Sequence, residues 1–511
     1  MKSMVRRTAL IAFVLCFSAQ VVGAATVTRV VPIVLDVMTD AARYTTELTL
    51  TNDTPDAVTV SALYTPALGS KSGNGTVTDR LGPGEQRRIP DVLSWLRTNG
   101  LLLPSAEVEP SQGGTLKLDF TGPSAEPARI SALARTGSDT RPPQPAGRAG
   151  TAYAAFLLEE AASSAWVYAV SNGTDRTNVA IVNASGVPVT FDASVQDLSQ
   201  RGVLFYKIVQ GATLPAWGWM QIDSPTLLEA NGSRAGSVDI SASGPIYVYA
   251  VINDRATNDG SFVVANSPVH DGSGFTIAVE TPGFVTEAAL FSSGSPSSVN
   301  GVDLSFTDAL GPVPGGRAET VIPPPFYGVE FVPNVIDRLR ASRGSTLGSF
   351  ATGPYGGILE VTYLSGGGSL VRTVAPSPAG GRFGVHIPSV RLSDATLDHA
   401  SVYGLVADET NRSNVAIGSV EPSGPTWVRL RLTVHDGDAG GAVRGAPIDV
   451  DLLAGGWRQV NGILRTAGVR NGWVEVSRIA GSGYWFAYGV VNDGAYPGER
   501  TGDGAYVPMA R

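Results

Sequence analysis

Two arginines head two nearly identical stretches of this chain. Arg176 lies in Asp175-Arg176-Thr177-Asn178-Val179-Ala180-Ile181, and Arg412 in Asn411-Arg412-Ser413-Asn414-Val415-Ala416-Ile417. Each stretch is answered downstream by an acidic loop, Asp254 to Asp259 in the first case and Asp493 to Asp503 in the second. A guanidinium can grip a carboxylate through two parallel hydrogen bonds. The chemistry expected of these residues is therefore ion pairing, Arg176 with Asp254 or Asp259 and Arg412 with Asp493 or Asp503. Val179 and Ile181 follow Arg176 closely enough to anchor it on a core strand. That favours a structural closure over an arginine presented to an acidic ligand.

Aromatic residues supply the candidates for binding. Trp217 and Trp219 are two apart, as are Tyr247 and Tyr249, and residues two apart on a strand share a face. Such pairs can stack on sugar rings or anchor a protein partner. Trp219 recurs as Trp457, as expected of a residue that fills the same hole twice, whereas Trp217 has no aromatic counterpart and is the better surface candidate. The loops Asn253-Asp254 with Asn258-Asp259-Gly260, and Asn492-Asp493 with Asp503-Gly504, gather hard oxygen ligands of the kind calcium takes. Asx and Gly also build turns unaided, so no metal is assigned and calcium stays the one cofactor the chain could use.

Catalytic raw material is thin. The four histidines, His270, His386, His399 and His435, form no H-E-x-x-H pattern, and His435 falls on the polar face of its strand, where water should solvate it. There is no G-x-S-x-G elbow and no P-loop, and Gly366-Gly367-Gly368-Ser369 reads as a hairpin loop. Glu159, Glu160 and Glu475 could serve a two-carboxylate glycosidase, but no motif singles them out. The chain is expected not to be an enzyme.

The elements that must position these residues are strands. Gly218-Trp219-Met220-Gln221-Ile222 returns as Gly456-Trp457-Arg458-Gln459-Val460, and Tyr249-Ala250-Val251-Ile252-Asn253-Asp254 as Tyr488-Gly489-Val490-Val491-Asn492-Asp493, in the same order as the arginine stretches. Fainter copies of the strand-break-turn grammar occur at Ile89-Pro90-Asp91-Val92-Leu93 and at Val332-Pro333-Asn334-Val335-Ile336. Val428, Leu430, Leu432 and Val434 alternate with Arg429, Arg431, Thr433 and His435, the period of a half-buried strand. The pattern predicts an all-β chain of four tandem antiparallel Ig-like β-sandwich domains in the order A-B-A′-B′, each with one short helical turn. Gly/Pro-rich stretches at 136–150, 267–274 and 376–384 are read as boundaries, giving units at 25–138, 150–268, 274–381 and 382–511.

The quoted motifs of the B units resemble tandem β-sandwich modules of large secreted bacterial proteins. The resemblance covers most of both B units and, weakly, both A units. It implies an Ig-like surface or accessory role and carries no catalytic residues.

Composition and charge set the compartment. The 511 residues include 61 Gly and 34 Pro, with 43% apolar and 16% charged, a texture of many short strands and turns. Lys2, Arg6 and Arg7, then the apolar run Thr8 to Val22, then Val22-Gly23-Ala24, read as a signal peptide over 1–24. Its removal takes 37 basic residues to 34 against 45 acidic ones, a net charge of −11. That disfavours nucleic acid. No later stretch offers about 18 consecutive apolar residues, so no membrane span is expected. Cys16 is the only cysteine and falls in the leader, so no disulfide is expected. The chain reads as an exported structural or adhesive protein of a cell surface or matrix, its partners other surface or matrix proteins or glycans. The alternative is a carbohydrate-binding or carbohydrate-cleaving secreted protein.

Overall fold

The computed structural model describes residues 24–511 except 40–41, 71–72, 105–107, 200–203, 266–271, 293–300, 311–314, 324–327, 348–353, 364–366 and 421–425. The leader with Cys16, the boundary residues 267–271, His270 and Gly366 lie outside the described residues.

The chain is all-β, 62% strand and 7% helix, and its strands pair antiparallel. Residues 25–157 build a nine-stranded sheet, 162–264 a seven-stranded sheet, 272–386 an eight-stranded sheet, and 399–508 two four-stranded sheets. These four segments are called A, B, A′ and B′. In Trp427–Asp436 the alternation puts Val428, Leu430, Leu432 and Val434 in the core. Arg429 and Arg431 stay outside, paired across the ladder with Asp451 and Asp449. Each segment has its own apolar cluster. A fifth, with Phe275, Ile358, Trp457, Phe486 and Tyr488, lies between A′ and B′.

Among the described residues each segment has one short α-helical turn, at Val92–Thr98, Ser224–Leu227, Val335–Arg340 and Ile463–Thr466. Asp91, Asp223 and Asn334 cap the first three by accepting a backbone N–H three residues on, which satisfies a donor the helix cannot. Gly462, at φ 60°, takes that place in the fourth.

Two predicted boundaries are corrected. The stretch 136–150 is no linker: Arg148–Ala154 pairs with Ile130–Asp139, so the Pro/Gly run between them is the loop of a hairpin inside A. Likewise Arg382–His386 pairs with Gly367–Pro376, so 376–384 is a hairpin inside A′. Pro and Gly mark tight turns as readily as linkers, and composition alone does not separate them.

These hairpins and their counterparts in B and B′ deliver four strands to the middle of the molecule: Arg148–Ala154, Gly260–Val264, Arg382–His386 and Gly504–Pro508. Each touches two of the others, A against B, B against A′, A′ against B′ and B′ against A, so the contacts close on themselves.

Candidate functional site

The arginine pairs are not those the sequence predicts. Arg176 donates from Nη2 to the side-chain oxygen of Asn258 at 2.9 Å, not to Asp254 or Asp259. Arg412 donates from Nη1 to the backbone carbonyls of Asp493, Gly494 and Tyr496, not to a carboxylate. The expected proximity of each arginine to its loop is right and the acceptor is wrong, because the carboxylates are drawn to a different segment.

Asp254 of B accepts from the backbone N–H of Arg382 in A′ at 3.2 Å, and Thr257 Oγ1 donates to the Arg382 carbonyl at 2.7 Å. Asp493 of B′ accepts from the N–H of Arg148 in A at 3.1 Å, and Thr501 Oγ1 donates to the Arg148 carbonyl at 2.8 Å. Asp259 then takes the N–H of Gly384 at 2.5 Å, and Asp503 that of Gly150 at 2.9 Å. The acidic loops are thus two matching clasps, B onto A′ and B′ onto A. Glycine is required beneath them: a Cβ on Gly381 would lie 2.6 Å from an Asp254 oxygen, and one on Gly147 would lie 2.1 Å from an Asp493 oxygen.

Asp259 and Asp503 come together where the two clasps converge, each with one buried carboxyl oxygen that has no hydrogen-bond partner. Two buried carboxylates side by side disfavour carrying two charges. Burial, opposed by the Gly384 N–H and the Arg372 charge, pushes Asp259 up to about 7. Burial and then the Asp259 charge raise Asp503 well above the usual carboxylate range. Burial and mutual repulsion thus favour protonation of the pair.

The aromatic candidates are buried between segments. Tyr247 stacks on Phe156 of A with ring centroids 4.0 Å apart, and Tyr249 stacks on Phe262 and accepts from Trp219 Nε1 at 2.9 Å. Tyr247 and Tyr249 are buried in the apolar cluster of the A–B seam and present no open stacking platform. Trp217 is half-buried, with φ 57° and Lys117 of A 5.4 Å over its ring. Trp457 does not repeat a hole within its own segment but packs on A′, where a Cβ on Gly356 would lie 3.2 Å from its Cζ3. His435 is also corrected. It stacks on Trp473 and sets Nε2 3.3 Å from Glu475, the interaction that outweighs burial and raises its pKa.

Along the A–B seam lies a cleft of about 1260 Å³. Ile33, Leu35 and Tyr44 of A face Trp219, Arg176 and Gln221 of B across it. Of the five N–H donors of Arg176, the bond to Asn258 uses one, so the guanidinium has donors to spare at the cleft. The corresponding A′–B′ seam is the packed fifth cluster.

Comparison with models of known protein families and with curated proteins finds no match.

The sequence reading missed Arg148 and Arg382. A signal for both was present: Gly147-Arg148-Ala149-Gly150 and Gly381-Arg382-Phe383-Gly384 are copies of one G-R-x-G pattern, each inside a stretch that composition marks as linker.

Proposed function

We propose that this chain is an exported, non-enzymatic adhesive protein of a cell surface or matrix. In this proposal four Ig-like β-sandwich units follow one another as A-B-A′-B′, and the A–B cleft is where the protein holds a glycan. The observation that carries the proposal is the open seam. Matching aromatic positions fill the A′–B′ seam, whereas at A–B they leave a large cleft with an indole, a phenol, a guanidinium and an amide on its walls. Apolar rings with a few convergent polar groups are the usual make-up of a small-ligand site, and sugars stack on the rings while their hydroxyls take the polar groups. The matched clasps support a scaffold role, because they tie the first segment to the last. The proposed role requires no cofactor, and a chelator is expected to leave the melting temperature unchanged.

The test is calorimetric titration of the full chain with a panel of neutral and acidic oligosaccharides, repeated with Trp219→Ala and Arg176→Ala. Binding by the wild type that weakens at least tenfold in each variant supports the cleft. Binding of none of the panel, or binding unchanged in both variants, overturns it, and turnover of any sugar overturns the non-enzymatic part. Export is checked by sequencing the N-terminus of the protein recovered from cells, expected at Ala25.

A further inference from the structure

The two clasps differ in charge. At B–A′, Asp175 is buried and bridges two guanidiniums, accepting from Arg372 Nη1 at 2.9 Å and from Arg382 Nη2 at 2.7 Å. Burial alone would raise its pKa, and the two positive charges overcome that and lower it. The small cavity beside it, about 190 Å³, has Asp175 and Glu287 against Arg372 and Arg382, a balanced set.

At B′–A the corresponding positions are Asn411 for Asp175, Arg135 for Arg372, Arg148 for Arg382 and Glu47 for Glu287, by ladder register. The bridging carboxylate is gone. Arg135 donates to the Asn411 amide oxygen at 3.1 Å and lies 3.6 Å from Glu47. Arg148 donates to neutral oxygens, those of Thr45 and the Gly137 carbonyl. The nearby acids are shared or turned away: Glu47 lies between Arg88 and Arg135, Asp408 pairs with Arg88 and Asp493 with Arg500, burial and the Asp259 charge favour protonated Asp503, and Asp139, opposite Arg148 in the ladder, is exposed. The carboxylate has in effect moved three residues, since B has Asn172 and Asp175 where B′ has Asp408 and Asn411. From its new place Asp408 reaches Arg88, whose counterpart in A′ is Phe331.

Arg88, Arg135, Arg148 and Arg500 surround the resulting cavity of about 210 Å³ with Glu47, Asp493 and Asp503. A guanidinium stays charged in a protein, and a partly buried charge without a counter-charge is costly. Burial, then the neighbouring Arg135, lowers the Arg148 pKa, outweighing the opposing charges of Asp139 and Glu47.

We infer that this cavity is a binding site for a small tetrahedral oxyanion, sulfate or phosphate, held by Arg148 and Arg135 where the Asp175 carboxylate stands in the other clasp. The anion completes the charge set that ties A to B′ and so couples closure between the first and last segments to the anion in solution. This is independent of the glycan cleft, which lies on a different seam.

The experiment is thermal unfolding of the full chain in a sulfate-free, phosphate-free buffer at constant ionic strength, titrated with millimolar sulfate and, separately, phosphate. A ligand that binds only the folded state raises the melting temperature in a saturable way. The wild type is expected to show such a rise. Asn411→Asp restores the carboxylate, so it should melt higher than the wild type without added anion and lose most of the response. Arg148→Gln should lose the response too. If Arg148→Gln fails to fold, Asn411→Asp and direct calorimetric titration of sulfate still decide. No saturable rise in the wild type, or an equal rise in the wild type and Asn411→Asp, overturns the site; the latter would be the general salting effect of these anions.

Discussion

The A–B and A′–B′ seams are built from corresponding residues, yet one is a cleft and the other a core. Trp219, Tyr247, Tyr249 and Phe262 on the first match Trp457, Phe486, Tyr488 and Tyr506 on the second. The difference lies in the small residues around them. Gly418 stands where B has Val182, and a Cβ there would lie 2.7 Å from Ile358 of A′ and 2.6 Å from Phe486. Its absence lets the two sheets close. Gly455, at φ 69°, stands where B has Trp217, at φ 57°. Left-handed backbone costs a non-glycine residue about 1–2 kcal/mol, so B carries a strain that B′ avoids and in return sets an indole against Lys117 of A. Thr115, whose counterpart in A′ is Ile358, spends its hydroxyl on the Trp217 carbonyl at 2.5 Å. Two glycines and an isoleucine pack one seam, and a valine, a tryptophan and a threonine hold the other apart. A repeat can therefore keep its aromatic residues and still divide labour between its copies.

The largest effect should come from truncating the packed seam. Trp457→Ala is expected to cost about 3–5 kcal/mol, the range for a buried large aromatic, and Trp219→Ala on the cleft distinctly less. Chemical denaturation of both variants checks this, and equal losses would break the contrast between the seams. Next is the clasp pair. Removing the shared carboxylate with Asp175→Ala leaves Arg372 and Arg382 without it in a buried setting, expected to cost about 3–5 kcal/mol. Asn411→Ala at the matching site removes the hydrogen bonds to Arg135, Asp408 and Thr410 but no buried bridging charge, and should cost less, about 1–3 kcal/mol.

A pH-dependent effect of similar size comes from the acid pair where the clasps converge. Asp259 has a folded pKa of about 7, above the unfolded value of about 3.9. The unfolded chain therefore binds fewer protons between those values, and stability falls with rising pH by at most about 1.4 kcal/mol per unit. The contribution is full below pH about 4 and is lost as pH rises through about 7. Arg372 and the Gly384 N–H face Asp259 besides Asp503 and limit the loss. Asp259→Asn carries a donor at every pH, so its melting temperature should exceed the wild type's at pH 8 and vary less between pH 4 and 8. A wild type with no decline over that range would overturn the raised pKa of Asp259. The smallest effect is expected of Trp217→Gly. Relief of about 1–2 kcal/mol of backbone strain offsets lost packing against Lys117, so the denaturation midpoint should shift by an amount equivalent to about 1 kcal/mol or less.

Strand class, the repeat and the four helical turns were legible because they are local: alternation, capping residues and spacing are properties of a few neighbouring positions. Val428 to Val434 point inward because a strand has period two, and Asp91, Asp223 and Asn334 start turns because their side chains reach a backbone N–H three residues away. The repeat also marked Arg176, Arg412 and their acidic loops as paired features, and the structure does bring each arginine to its own loop. Which acceptor each arginine takes was not legible. The Asp254 and Asp493 carboxylates are claimed by Arg382 and Arg148 of other segments, through contacts 128 and 345 residues apart along the chain, and no local pattern encodes a partner at that distance. For the same reason the Pro/Gly runs that look like linkers are hairpins reaching the centre, the alternating tyrosines are buried against another segment, and two aspartates spaced for turns end buried beside each other. A strand's inward face is chosen by its own residues, whereas what covers its other face is chosen by whichever segment the closed set of contacts brings against it.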